Sequence, residues 1–299
     1  MNKSLPNNLF LKHSGISICY EVFGDPNNPC VILIMGIEGQ LINWPIEFTQ
    51  GLANKGFYVI TFDNRDVGLS SYYDQLETPN ISDAIAAKQQ GKIFHPPYIL
   101  KNMASDVIVL MDGLHIEKAH IAGISMGGMI AQILALDYPE RLLSLTCIAS
   151  TSGDSHLPPA KPEVLQLFFS PRKQTDTLES YVDNKIQTYK AYLHPNHFNE
   201  EKVRELAKNL YQRAYHPDGF KRQLLAVIFA EPRGEKLKKL KLKSLIVHGD
   251  YDPAFPVEHG KYLAECLPNS HLEIIEKLGH GLPACICEKL VELIDINIK

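Results

Sequence analysis

The chain has 299 residues, of which 45% are hydrophobic and 21% charged, a balance that supports a large core and excludes disordered and fibrous classes. That length can wrap around a single sheet, so one core with an insertion is expected. A formal net charge of -4 provides no field that would gather nucleic acid or an anionic membrane, and no apolar run is long enough to span one.

The opening stretch, MNKSLPNNLFLKHSG, lacks the apolar segment and small-residue cleavage site of a secretory signal, and a cytoplasmic protein is expected. Short apolar runs then alternate with amphipathic ones. ISICYEVF (16 to 23) and CVILIM (30 to 35) read as strands, followed by a helix near 46 to 55 and the strand YVITF (58 to 62). A helix at 99 to 113, the strand HIAGI (120 to 124), a helix at 126 to 136 and the strand LSLTCIA (143 to 149) continue the pattern. It resumes with LIVH (245 to 248), a helix at 258 to 266, the strand-like LEIIE and a last helix near 284 to 298. Such alternation predicts an α/β fold with a mostly parallel central sheet flanked by helices.

The alternation breaks between about Gly153 and Glu235, where LESYVDNKIQTYKAYL and EEKVRELAKNLYQRAY have helical spacing. Turn residues flank the break: Ser155, Pro158 and Pro159 before it, Pro232 and Gly234 after it. The expected organisation is a core of 1–152 and 236–299 with a helical cap, or lid, inserted at 153–235. The run EKLKKLKLK (235 to 243) interleaves leucine with lysine and lacks aromatic stacking residues, so it reads as a solvated amphipathic face rather than a nucleic-acid patch. The six cysteines, at 19, 30, 147, 266, 285 and 287, are dispersed through apolar segments and are expected to be reduced thiols. Only Cys285 and Cys287 are close together, a poor zinc signal without a second ligand pair.

The chemistry concentrates in HIAGISMGGMIAQILAL, where a strand runs through Gly123-Ile124-Ser125-Met126-Gly127 directly into a helix. This G-x-S-x-G string in a strand-turn-helix setting is the nucleophile-elbow context. The turn strains Ser125, and Gly123 and Gly127 leave room for strand and helix to pass closely. A phosphate loop, the competing reading, would carry a Lys-Ser/Thr pair that is missing here.

A serine hydroxyl needs a base within hydrogen-bond reach. His280, in the Gly-flanked loop KLGHGLP between the last strand-like run and the last helix, is the best placed of twelve histidines. His248, ending an apolar strand, reads as structural. HGDYDPAFP (248 to 256) supplies the acid that would orient the imidazole; Asp252, deeper in the loop, is preferred to Asp250. The order Ser125, Asp252, His280 is the order of α/β-hydrolases. Oxyanion donors are expected from the backbone N–H groups of Met126 and Ile37, the latter following the strand that ends near Gly36.

On these residues, and on IMGIEGQLINWP, FDNRDVGLSS, GISMGGMIAQ and HGDYDPAFPVEHG, the chain resembles the α/β-hydrolase superfamily over nearly its whole length. Within it the motifs resemble the branch that contains aclacinomycin methylesterases and related carboxylic-ester hydrolases. The resemblance implies the triad already argued, one antiparallel strand pair near the start of the sheet, a helical cap and no cofactor. Met35-Gly36 stands where His-Gly is frequent, and Asp66 occupies the usual glycine of D-x-R-G-x-G-x-S; both departures occur in that branch. Asp63, Arg65 and Asp66 are expected to form a turn with ion pairing inside it rather than a carboxylate-binding arginine. Trp44 either lines the pocket or packs beneath the oxyanion loop.

The expected activity is hydrolysis of a small or medium-sized carboxylic ester through an acyl-enzyme on Ser125, without metal or organic cofactor. Proline iminopeptidases, C-C bond hydrolases, thioesterases and cofactor-free haloperoxidases keep the same triad and stay open as alternatives, as does a non-catalytic ligand receptor on this fold.

Overall fold

Apolar runs of five to eight residues pair into one eight-stranded sheet in the computed structural model, which describes residues 8–13, 15–169 and 177–299. Residues 1–7 of the opening stretch and 170–176 of the expected insertion lie outside the described residues. The strands are β1 (Leu9–His13), β2 (Ile16–Phe23), β3 (Cys30–Ile34), β4 (Tyr58–Phe62), β5 (Ala119–Ile124), β6 (Leu142–Ile148), β7 (Ser244–Gly249) and β8 (Ser270–Ile275). Their order is β1-β2-β4-β3-β5-β6-β7-β8. β2 runs antiparallel to both β1 and β4, and every other pairing is parallel. Two antiparallel pairings therefore stand where the resemblance implied one, because β1 ends so shortly before β2 begins that only a hairpin is open to the pair.

The α-helices are α1 (Ile46–Asn54), α2 (Ile81–Gln89), α3 (Leu100–Gly113), α4 (Met126–Asp137), α5 (Pro162–Phe169), α6 (Leu178–Tyr192), α7 (Glu200–Arg213), α8 (Pro217–Ile228), α9 (Gly234–Leu237), α10 (Glu258–Cys266) and α11 (Cys287–Ile298). They cover both faces of the sheet, which is why β3 is apolar at every position. Ile32 and Ile34 pack with Met103 and Val107 of α3 and Leu134 of α4, while Val31 and Leu33 pack on the other face with Phe48 of α1 and Leu290 of α11. At about 25 cal/mol per Å² of apolar surface removed from water, these two layers are the main force holding the sheet.

Between β6 and β7 lie α5 to α9. α6 and α7 bury Val182, Ile186, Val203, Ala207 and Leu210 against each other in a cluster of their own. Leu237 of α9 packs instead among the sheet residues. The lysine run behaves as its pattern suggests: Lys236 and Lys238 are exposed beside Glu231 and Glu235, while Leu240 and Leu242 pack on the core. Among the described residues no helix is long and apolar enough to cross a membrane.

Candidate active site

β5 enters the centre of the sheet and ends at Ile124, and α4 begins at Met126, so one residue makes the turn. Ser125 takes φ 55 and ψ -121, a region that L-residues seldom occupy. The surrounding glycines make the turn possible: a methyl group on Gly123 would overlap the carbonyl of Gly127, and one on Gly127 would overlap the carbonyl of Ile34 in β3. Ser125 N–H donates to the Ile148 carbonyl of β6 at 2.9 Å, and the Ser150 hydroxyl donates to the Ser125 carbonyl at 2.8 Å. The serine side chain is thereby raised at the end of the central strands and partly exposed.

His280 reaches it from the loop after β8. Its Nε2 lies 2.9 Å from Ser125 Oγ, and its Nδ1 lies 2.9 and 3.1 Å from the two carboxylate oxygens of Asp252, in the loop after β7. An ionised carboxylate only accepts, so Nδ1 carries the proton toward Asp252 and leaves Nε2 as the acceptor for the serine hydroxyl. Asp252 also accepts the N–H groups of Ala254 and Phe255 at 2.8 and 2.9 Å. Burial pushes its carboxyl up, but the His280 imidazole, the hydrogen bond to it and the nearby His248 outweigh burial and hold it below the ordinary carboxylate range. The His280 backbone N–H donates to the Tyr192 carbonyl at the end of α6 at 2.8 Å, and the rings of Tyr192 and Phe255 meet the imidazole edge-on at 5.2 and 5.5 Å. Asp250 does other work: it accepts the Lys277 N–H at 2.7 Å and closes the turn after β8.

Of the two residues expected to give oxyanion donors, Met126 follows Ser125 directly and Ile37 follows Gly36, which packs against the serine. Met126 opens α4, so helix geometry leaves its N–H without an intrahelical acceptor, at the positive end of the helix dipole. A methyl group on Gly36 would come 3.3 Å from Ser125 Cβ, so the Gly36-Ile37 peptide begins directly against the serine. That loop is held from one side by Asn64, whose amide donates to the Met35 carbonyl at 3.0 Å. A hydroxyl, an imidazole nitrogen in hydrogen-bond reach of it and a buried carboxylate on the far side of the ring are components that acyl transfer uses.

The pairing expected inside Asp63-Arg65-Asp66 does not form. Asp63 pairs with Arg213 of α7 at 2.8 Å and Asp66 with Arg222 of α8 at 2.8 Å, while Arg65 forms a bidentate pair with Asp106 of α3 at 2.6 Å. The three side chains of a tight turn splay apart, so each finds its partner on a different packed helix. Asp66 sits at φ 66, the conformation that explains the glycine usual at this position, with both its carboxylate oxygens on Arg222. Among the described residues, Asp66, Asp74 and His216 approach closely enough to share a metal ion, but the Arg222 guanidinium sits among them, 2.9 Å from Asp74 and 3.0 Å from His216. That cation fills the position a metal would take.

His248 is fully buried and its Nε2 lies 2.7 Å from the Phe255 carbonyl; burial lowers its pKa. Trp44 is buried, stacks on Phe48 at 5.5 Å and packs in the core cluster that includes Met35. All six cysteines are unpaired; Cys285 is exposed and Cys287 buried. Sequence reasoning missed Gln223, buried on α8, whose side chain contacts the loop after β3. Its one trace in the sequence is an Arg-Gln pair amid the apolar residues of FKRQLLAVIF.

The model of the α/β hydrolase fold family matches residues 29–283. A rhodomycin D methylesterase of a Streptomyces species is 28% identical, the match covering 97% of each chain. A 3-oxoadipate enol-lactonase of Acinetobacter baylyi is 26% identical over 87% of this chain and 85% of its own. Among solved structures, an enol-lactonase from Burkholderia xenovorans superposes with a TM-score of 0.72 at 18% identity, covering 97% of this chain and 99% of the other. A thermophilic esterase from Thermogutta terrifontis superposes with a TM-score of 0.72 at 20% identity, covering 98% of each chain.

Proposed function

We propose, from the premise that this chain belongs to the α/β hydrolase fold family, that it is a carboxylic-ester hydrolase working through an acyl-enzyme on Ser125. The observation that carries the reading is the continuous relay from Ser125 Oγ through His280 to Asp252, at 2.9 Å on each side of the imidazole. The methylesterase and the enol-lactonase lend support, since a lactone is itself a carboxylic ester.

In this mechanism His280 Nε2 takes the hydroxyl proton as Ser125 Oγ attacks the ester carbonyl. The Met126 and Ile37 N–H groups receive the oxyanion; each such donor contributes about 3 to 4 kcal/mol in comparable sites. The imidazolium, steadied by Asp252, returns the proton to the leaving alcohol, and a water activated by the same imidazole releases the acid. Asp252 fixes the tautomer and stays ionised throughout.

We assign residues 153–235 as the cap over the core of 1–152 and 236–299. The separate cluster between α6 and α7 supports this, and so does the Tyr192 carbonyl, which brings the end of α6 onto the His280 backbone.

The experiment is turnover of a panel of simple methyl, nitrophenyl and lactone esters by wild type and Ser125→Ala. Ester hydrolysis abolished in the variant supports the reading. Ligand binding without Ser125-dependent turnover would favour a receptor, and turnover confined to thioesters, N-terminal proline peptides or C-C substrates would favour the sister activities.

A further inference from the structure

The direction of the Ile37 N–H is governed by the turn that follows it. The Gly36 carbonyl accepts the Gly39 N–H at 3.2 Å, closing a four-residue turn. In a trans peptide C=O and N–H point opposite ways, so the Ile37 N–H leaves on the outer side of that turn. Glu38, the third residue of the turn, has φ 61. Glycine takes that value freely and is the usual residue there; glutamate takes it only when its surroundings hold it.

Two side chains from the insertion hold it. Gln223 Oε1 accepts the Glu38 N–H at 2.8 Å, and Lys185 Nζ lies 3.1 Å from the Glu38 carboxylate. Gln223 is fully buried, and its Nε2 donates to the Arg65 carbonyl at 2.8 Å. The amide cannot turn over, because its NH2 would then face the Glu38 N–H and its oxygen the Arg65 carbonyl. One primary amide therefore ties the turn after β3 to the loop after β4 and fixes the Ile37-Glu38 peptide in the orientation that a positive φ at residue 38 requires.

We infer that Gln223 is a positioning residue for the oxyanion site, locking the 36–39 turn so that the Ile37 N–H is presented beside Ser125. This rests on the serine-hydrolase reading above. Without the Gln223 oxygen, the Ile37-Glu38 peptide rotates to relieve Glu38 and carries the Ile37 backbone with it.

The test is steady-state hydrolysis of p-nitrophenyl acetate by the full chain. Gln223→Met keeps the shape and loses the acceptor; kcat falls about 10- to 100-fold, less than or comparable to removal of an oxyanion donor, with KM within about threefold. Gln223→Glu keeps an acceptor oxygen and recovers part of the loss. Adding Glu38→Gly to Gln223→Met recovers most of it, since glycine holds the turn unaided; a Gln223 that merely stabilised the fold would not be rescued this way. Glu38→Val reads the same turn from a partly exposed position if the Met variant does not fold: kcat falls with KM kept. No rescue by glycine, a loss confined to KM, or an unaffected Glu38→Val overturns the assignment. Turnover that survives Ser125→Ala overturns the parent reading and this one with it, whereas Ser125-dependent turnover without rescue overturns this one alone.

Discussion

Ser125 combines a positive φ with its place at the tip of a buried strand, a conformation that costs on the order of 1 to 3 kcal/mol and persists only because packing dictates it. Its signal in the sequence was local: glycines two residues to either side, a strand before and a helix after. The relay partners were legible for a different reason. Loops after β7 and β8 end on the same sheet edge as the elbow, so an aspartate and a histidine there have one place to go. The choice between Asp250 and Asp252 turned on depth in the loop, and only Asp252 meets the imidazole. We expect Asp252→Asn to lower kcat by about 10⁴, the loss that the same change causes in a serine-protease triad through the wrong tautomer. Asp250→Asn, whose amide oxygen can still accept the Lys277 N–H, should leave kcat near wild type. Equal losses in the two variants, measured as kcat on one ester, would contradict this division of roles.

Helices α7 and α8 are tied to the turn after β4 by charge where the sequence offered no guide. Asp66 finds Arg222 156 positions away, a separation at which no spacing rule applies, and the expected pairing inside the Asp63-Arg65-Asp66 turn gave way to three separate partners. Helices α6 and α7 were readable from their 3.6-residue periodicity. α2 was not: ISDAIAAKQ buries only Ala84, so its pattern carries almost no apolar stripe. For the Arg222 tie we predict that Arg222→Met destabilises the fold by about 3 to 5 kcal/mol, because it strands a buried Asp66 carboxylate. Arg222→Met with Asp66→Asn should recover part of that, since the orphaned charge is gone. Chemical denaturation measures both; a single variant as stable as wild type would contradict the buried-pair account.

Across the whole molecule the parallel sheet was legible because strands covered on both faces must be apolar throughout, as CVILI is. β1, LFLKH, escaped because it is a short edge strand with Phe10 exposed, and an edge strand covered on one side at most need not declare itself. The same burial leaves a pH signature. His120, inside the sheet beside Ser144, is lowered by burial to about 4, and burial lowers His248 and His259 as well. A histidine with a folded pKa below its unfolded value of about 6.5 contributes stability that is complete above that value and is lost as pH falls through the window between the two. Tm should therefore drop more between pH 7.5 and 5 in wild type than in His120→Asn, which cannot take up the proton; equal drops would contradict the assignment.

Intact-mass analysis after fluorophosphonate treatment tests the proposed activation of Ser125 without choosing a substrate. The expected result is a single adduct on the wild-type chain, mapped to Ser125 and absent from folded Ser125→Ala. An adduct that persists in Ser125→Ala, or folded wild type that hydrolyses esters while remaining unlabelled, would contradict it.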